Sequence, residues 1–257
     1  MSYNPSVAAS PALQGVIFDL GGTLIYPSTT DEHCIRALAA WLRAHGWPAD
    51  VEDAVREARR WVLAMTAQTG RQHTMAEGIR RALARVGRPA PDDGFVHQAE
   101  QVFFRPELAG YRPFPHAVQL LRRLQAAGMR EGCISNATSH WLIERIVDQM
   151  GFRPYLDPVV SSAAFGRTKP DPGIFRSVLD RWGILPQEAA MVGDTLAADI
   201  AGGAAAGMRT LYVTMQPHPS NARFADIRAD AEAATLEEAE RILLEWAGEA
   251  SRPVRRQ

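Results

Sequence analysis

Val16-Ile17-Phe18-Asp19-Leu20-Gly21-Gly22-Thr23-Leu24 is the stretch on which the reading of this 257-residue chain turns. Three apolar residues run into a carboxylate, a glycine pair follows, and a threonine closes the turn. An apolar run bounded by turn residues reads as a buried strand, here one that delivers Asp19 to its carboxyl end. In open parallel sheets the ligand crevice lies outside those ends. A lone aspartate after a strand is most often a turn residue or helix cap. Three later segments also end strands on polar groups, so the four are read together.

Working outward, the strand pattern stops after Thr23. Ile25-Tyr26-Pro27-Ser28-Thr29-Thr30 reads as a connector, and Thr30 or Asp31 caps a helix beginning near Glu32. Ile35, Leu38, Ala39 and Leu42 recur at helix spacing, closed by Gly46. Val51, Val55, Ala58, Val62 and Met65 form a second apolar face. Ile79, Leu83 and Val86 form a third, and Phe95, Val102 and Phe103 a fourth. Residues 27–110 are therefore expected to be a helical cap subdomain inserted after the first strand. The polar loop Thr66–Thr74 is ordinary for a solvated connection. Its Arg71 and His73 are also the cap residues expected to face a substrate over Asp19.

Beyond Gly110 strand and helix alternate. Helices are expected at Ala117–Ala127, His140–Met150, Gly173–Trp182, Leu196–Ala206 and Leu236–Ala247. Strands are expected at Met129–Ile134, Pro158–Val160, Ala189–Val192, Met208–Val213 and Ile227–Ala231, with Ser161–Thr168 as a loop. The alternation predicts an α/β fold, a doubly wound, mainly parallel sheet built from residues 13–26 and 111–249. Residues 1–12 and 250–257 are expected to be flexible termini.

Composition excludes several function classes. A net charge of -1 recruits neither nucleic acid nor an anionic membrane. No apolar run approaches the about 18 residues that span a bilayer, and Met1–Ala12 lacks the basic start and apolar core of a secretory signal. Cys34 and Cys133 fit no disulfide or metal spacing, which suits a reducing, cytoplasmic setting. Lys169 is the single lysine of the chain. The sequence carries no signature of oligomeric state.

The four strand-end features share one chemistry. Asp19 offers a carboxylate nucleophile, Ser135 a hydroxyl, Lys169 a cation, and Gly193-Asp194 with Asp199 further carboxylates. Phosphoryl transfer to an aspartate needs that set. The nucleophile forms an aspartyl-phosphate, and Mg²⁺ prefers oxygen ligands such as carboxylates and phosphate. Lys169, Ser135 and Thr23 are placed to stabilise the transferring oxygens. Asp194 completes the metal set, and Asp199 ligates or orients a metal-bound water.

At these residues the chain resembles the haloacid dehalogenase (HAD) superfamily with a helical cap after the first strand. Phe18-Asp19-Leu20-Gly21-Gly22-Thr23-Leu24 resembles that family's first motif, Ile134-Ser135-Asn136 its second, Arg167 to Pro172 its third, and Val192 to Asp199 its fourth. The resemblance covers roughly Leu13 to Ala247. It implies a Mg²⁺-dependent hydrolase acting on a small phosphorylated metabolite. Asp19 would be nucleophile; Asp19, the Gly21 carbonyl, Asp194 and Asp199 the metal set; and Ser135, Asn136 and Lys169 the phosphate contacts.

Gly21 departs from the family pattern. Family phosphatases usually carry a second aspartate there, as general acid and base, and that help is commonly worth roughly 10² to 10⁴ in rate. Three readings follow: another acid such as Tyr26, Asp31, His33 or His73; a substrate with a good leaving group, an acyl or aryl phosphate; or a weak enzyme that mainly binds a phosphorylated ligand or serves as a scaffold. A metal-independent 2-haloacid dehalogenase is a further alternative, which the fourth motif disfavours. A Schiff-base phosphonatase would need a cap lysine, and the cap has none.

Overall fold

The structure, a computed structural model, describes residues 11–26 and 29–248. The expectation of flexible termini, and the start of the insert at residues 27–28, fall largely outside them. In chain order the elements are β1 (Gly15–Phe18), β2 (Ile25–Tyr26), α1 (Asp31–Ala44), α2 (Val51–Thr69), α3 (Met75–Arg85), α4 (Asp93–Gly110) and β3 (Arg112–Pro113). Then follow α5 (Ala117–Ala126), β4 (Arg130–Ser135), α6 (His140–Gln149), β5 (Val159–Ser161), α7 (Ser162–Phe165) and α8 (Pro172–Trp182). The last are β6 (Ala189–Gly193), α9 (Ala201–Ala205), β7 (Arg209–Val213), β8 (Ala231–Ala233) and α10 (Leu236–Trp246).

Among the described residues, six strands form one parallel sheet in the order β5-β4-β1-β6-β7-β8. The chain leaves β1 for β4 on one side and returns to β6 on the other, so β1 ends at the switch point where ligands bind in such sheets. In register, Ile17 lies between Gly132 and Met191. Both faces are covered, which is why β1 and β6 are buried along their whole length. Val16, Phe18 and Cys133 pack in one core with Leu121 and Ile143, while Ile17, Ile134 and Met191 pack on Phe175 and Val178 of α8.

Helices α1 to α4 form the cap. Helix α1 packs on α4 and α2 on α3, through residues such as Leu38, Leu42, Val55, Ile79 and Phe103. Helix α2 stops at Gly70, whose φ of 67° suits a glycine. Helix α3 starts on a capping box, Thr74 accepting from the Glu77 amide while Glu77 reaches back to the Thr74 amide.

Four local features differ from expectation. Ile25–Tyr26 pairs antiparallel with Arg112–Pro113, tying together the two ends of the insert. Two residues per strand are too few for a period-of-two pattern to show. Ser162–Phe165 is a helical turn within the expected loop, with Ser161 capping it. Residues Leu196–Ile200 form a π-turn before α9 rather than a regular helical start. The last strand is Ala231–Ala233, not Ile227–Ala231, because Ile227 is held in a turn by the hydrogen bond its amide donates to the Phe224 carbonyl.

Candidate active site

Asp19 stands one residue past β1, its amide still in the ladder to the Val192 carbonyl at 2.9 Å. The chain then turns tightly, with the Leu24 and Ile25 amides both donating to the Leu20 carbonyl. Gly22 has φ 78°, and a Cβ there would lie 2.4 Å from a carboxylate oxygen of Asp194. Only glycine lets the β1 turn and the β6 carboxylate come that close. Gly193 does the same for the next carboxylate, since a Cβ there would lie 2.3 Å from Asp199 Cγ. The glycine spacing of both motifs is therefore a packing requirement for gathering acids.

Lys169 sits at the centre. Its Nζ is 2.7 Å from Asp19 Oδ1, 2.7 Å from Asp199 Oδ1 and 2.7 Å from the Ile134 carbonyl. Asn136 positions it: Asn136 Nδ2 donates to the Lys169 carbonyl at 3.1 Å, and its Oδ1 accepts from the Lys169 amide at 2.8 Å. Ser135, the last residue of β4, is buried beside them. Thr23 is fully buried, its hydroxyl without a hydrogen-bond partner among the described residues, and it does not line the cavity.

Burial pushes the Asp19 carboxyl up to about 6, opposed by Lys169 and reinforced by Asp199. Burial and then the charges of Asp19 and Asp199 push Asp194 up to about 8. Burial works against the Lys169 ammonium, but Asp19 and Asp199 outweigh it and hold its pKa above the ordinary lysine value. Asp19, Asp194 and Asp199 each bring one carboxylate oxygen within 4.8 Å of the others. Three acids share one lysine, so the cluster is short of positive charge. Its donors are all oxygen. Both properties fit a hard divalent cation such as Mg²⁺.

These groups floor a cavity of about 750 Å³. Asp19, Gly21, Ser135, Asn136, Lys169, Asp194 and Asp199 all line it from the core, while Arg59, Leu63, Gln72 and Glu107 line it from the cap. Arg71 and His73 do not line it. The Arg71 guanidinium pairs with Glu77 at 2.6 Å and points to solvent. His73 Nδ1 lies 3.0 Å from Glu77 Oε2, its ring packed edge-on against Trp61. Both secure the start of α3, and the loop reaches the cavity instead through Thr66, Ala67, Gly70 and Gln72.

The loop is not a free connection. Gln72 N donates to Gly166 O at 2.9 Å, Thr168 N to Gly70 O at 3.2 Å, and Met75 N to Thr138 O at 2.8 Å, so it is stitched to the core backbone. Tyr26, Asp31, His33 and His73, considered as substitute acids, are absent from the cavity lining. Asp31 takes Arg59 in a two-point ion pair at 2.9 and 3.0 Å. Sequence reasoning missed Arg59, Glu107 and Tyr111. Arg59 is findable in the sequence, because it falls on the apolar stripe of Val55, Ala58 and Val62, where a half-buried arginine needs a reason.

A switch-point crevice lined by acids and one buried lysine, under a helical cover, places the protein among enzymes that work from the carboxyl edge of a parallel sheet. The family model of haloacid dehalogenase-like hydrolases matches residues 13–207, and the chain belongs to that family of hydrolases. It is 29% identical over 205 residues to the glyceraldehyde 3-phosphate phosphatase of Methanopyrus kandleri, covering 78% of this chain and 84% of the relative. It is 32% identical over 202 residues to the ribulose-1,5-bisphosphate 5-phosphatase of Halopiger xanaduensis, covering 76% and 82%. The fold matches a 2-haloacid dehalogenase from Pseudomonas syringae pv. tomato DC3000 with a TM-score of 0.69 at 27% identity, over 91% of this chain and 100% of that one. Among the described residues no helix is long and apolar enough to cross a membrane.

Proposed function

We propose that the protein is a Mg²⁺-dependent phosphatase that hydrolyses a small phosphorylated metabolite through an aspartyl-phosphate at Asp19. The observation that carries this is the cluster itself, three carboxylate oxygens within 4.8 Å of one another around one lysine. Relatives named as phosphatases support it, and two buried free cysteines suit a cytoplasmic setting.

Lys169 holds Asp19 Oδ1, which leaves Oδ2 as the attacking atom. Oδ2 bonds to phosphorus as the ester P–O bond breaks, and the leaving oxygen keeps the bonding pair. Lys169 and Ser135 stabilise the transferring oxygens. Asn136 keeps Lys169 in place from behind. Water then attacks phosphorus, phosphate leaves and the Asp19 carboxylate is restored. Asp19, Asp194 and the Gly21 carbonyl, with Asp199 in support, would hold Mg²⁺, which when bound would supply the positive charge that lets an anionic phosphate approach an anionic carboxylate. The cap excludes bulk water and selects the substrate.

A metal-independent 2-haloacid dehalogenase is the second reading, favoured by the structural likeness to such an enzyme. The crowding of three acids weighs against it, since a haloacid brings no need for a divalent cation. The test is phosphate release from acetyl, aryl and sugar phosphates, with and without Mg²⁺. The expected result is Mg²⁺-dependent release that falls on the order of 10⁴-fold or more in Asp19→Asn. Release that survives in Asp19→Asn, or chloride release from 2-chloropropionate in its place, would remove the phosphatase reading.

A further inference from the structure

Away from the acids the cavity offers a substrate mostly hydrocarbon. Leu63 and Phe104 line it from the cap and Leu142, Ile143 and Ile146 from α6, and Leu63 stands 44% exposed. The neighbouring polar groups are already engaged within the protein. Arg59 is held by Asp31 and by Thr138 Oγ1 at 3.0 Å. Gln72 donates to the His73 carbonyl and accepts from Ser162 Oγ, each at 2.6 Å. The Tyr111 hydroxyl donates to Glu107 at 2.6 Å. A polyhydroxylated body placed here would give up water without matching partners.

A second, independent observation concerns the leaving oxygen. Gly21 lines the cavity two residues past Asp19, and a Cβ at that position would meet nothing within 4 Å. The turn therefore presents open space and no acid. Glu107 is an acid in the cavity, pushed up by burial, but its hydrogen bond comes from Tyr111 and its counter-charge from Arg59, with Asp31 repelling it. His218 lines the cavity from an exposed position, its ring nitrogen turned to Ser220. Neither pairs with Asp19.

Resting on the phosphatase reading above, we propose that the substrate is a phosphate ester whose leaving group is apolar and weakly basic, an aryl or enol phosphate rather than a sugar phosphate. Asp19 Oδ2 forms the bond to phosphorus while the P–O bond to the aryl or enol carbon fragment breaks. The fragment departs with the electron pair as phenolate or enolate, stable enough to leave unprotonated, and takes its proton from solvent water. A second water attacks phosphorus, the Asp19–phosphorus bond returns its pair to the carboxylate, and that water's proton passes to solvent.

The test compares kcat/KM of the Mg²⁺-loaded full chain on acetyl phosphate, 1-naphthyl phosphate and glycerol 3-phosphate. The expected preference for naphthyl over glycerol phosphate is about 100-fold or more, the scale of missing acid catalysis. Leu63→Gln should lower the naphthyl-to-acetyl ratio several-fold. Gly21→Asp, for which the structure has room, should raise the glycerol-to-naphthyl ratio about tenfold or more. Equal use of naphthyl and glycerol phosphate by the wild type overturns the inference, and loss of the glycerol activity in Glu107→Gln or His218→Gln would then identify the acid. Acetyl phosphate is the control: no Asp19-dependent release from it removes the phosphatase reading itself, whereas release without the aryl preference removes only this inference.

Discussion

The two walls of the cavity follow opposite electrostatic plans. On the core wall three acids share one lysine, and two of them are held protonated into or near the neutral range. On the cap wall the charges that line the cavity have partners: Arg59 is matched to Asp31, and Glu107 accepts from the Tyr111 hydroxyl. A matched wall is stable as it stands. An unmatched one is complete only when something positive joins it, and its excess of acid is the cost of being ready. The core wall is built to react, the cap wall to close.

That contrast can be broken most sharply at Lys169. Lys169→Ala leaves Asp19 and Asp199 buried without their cation, and breaking such a pair commonly costs about 3–5 kcal/mol. Urea unfolding near neutral pH should show a loss of that order, and a smaller one in acid, where the carboxyls are protonated.

The next effect is at Asp194. Its folded pKa, pushed up to about 8, lies above the ordinary carboxylate value. Between those two values the folded state holds a proton that the unfolded state has released. Stability without metal therefore falls as pH rises through that window, by roughly 1.4 kcal/mol per pH unit per group. Asp194→Asn should flatten the slope in chelator. Adding Mg²⁺ should raise the wild-type Tm and leave the Asp194→Asn Tm nearly unmoved. A wild-type Tm indifferent to Mg²⁺ would sink the metal assignment without any activity measurement.

Glu131 sharpens the comparison, because it is an unmatched acid away from the cavity. It lies on β4 with neither carboxylate oxygen hydrogen-bonded among the described residues, and burial pushes it up to about 9. The same sign applies: stability falls as pH rises from the ordinary carboxylate range toward that value. Glu131→Leu should stabilise the fold by roughly 1–3 kcal/mol near neutral pH, and Mg²⁺ should not substitute for it. The smallest effect is expected at Arg71→Ala. Its ion pair with Glu77 is exposed, so stability should change by about 1 kcal/mol or less, and kcat/KM by no more than about threefold, since the side chain does not line the cavity.

How much of this was legible depended on whether a residue's role follows from its neighbours in sequence. Asp19, Ser135, Lys169 and Asp194 each stand beside a strand end or a turn, so local punctuation singles them out, and the parallel order of the sheet brings them to one edge. The alternation that defines the fold is equally local. Arg71 and His73 drew notice because they are polar in a polar loop, yet Glu77 one turn into α3 claims both. Glu107 and Tyr111 were hidden for the reverse reason. Their pairing is an ordinary helical spacing at the end of α4, and only the packing of the cap on the core shows that they face a cavity.

The loop after α2 has a further consequence. The β2–β3 ribbon pins the cap to the core on one side, and three backbone bonds from residues 70–75 to Thr138, Gly166 and Thr168 fasten it on the other. Opening the cap on that second side would break all three of those bonds. That opening would be resisted by main-chain bonds that do not touch the reacting atoms, in the segment that brings Gly70 and Gln72 to the cavity.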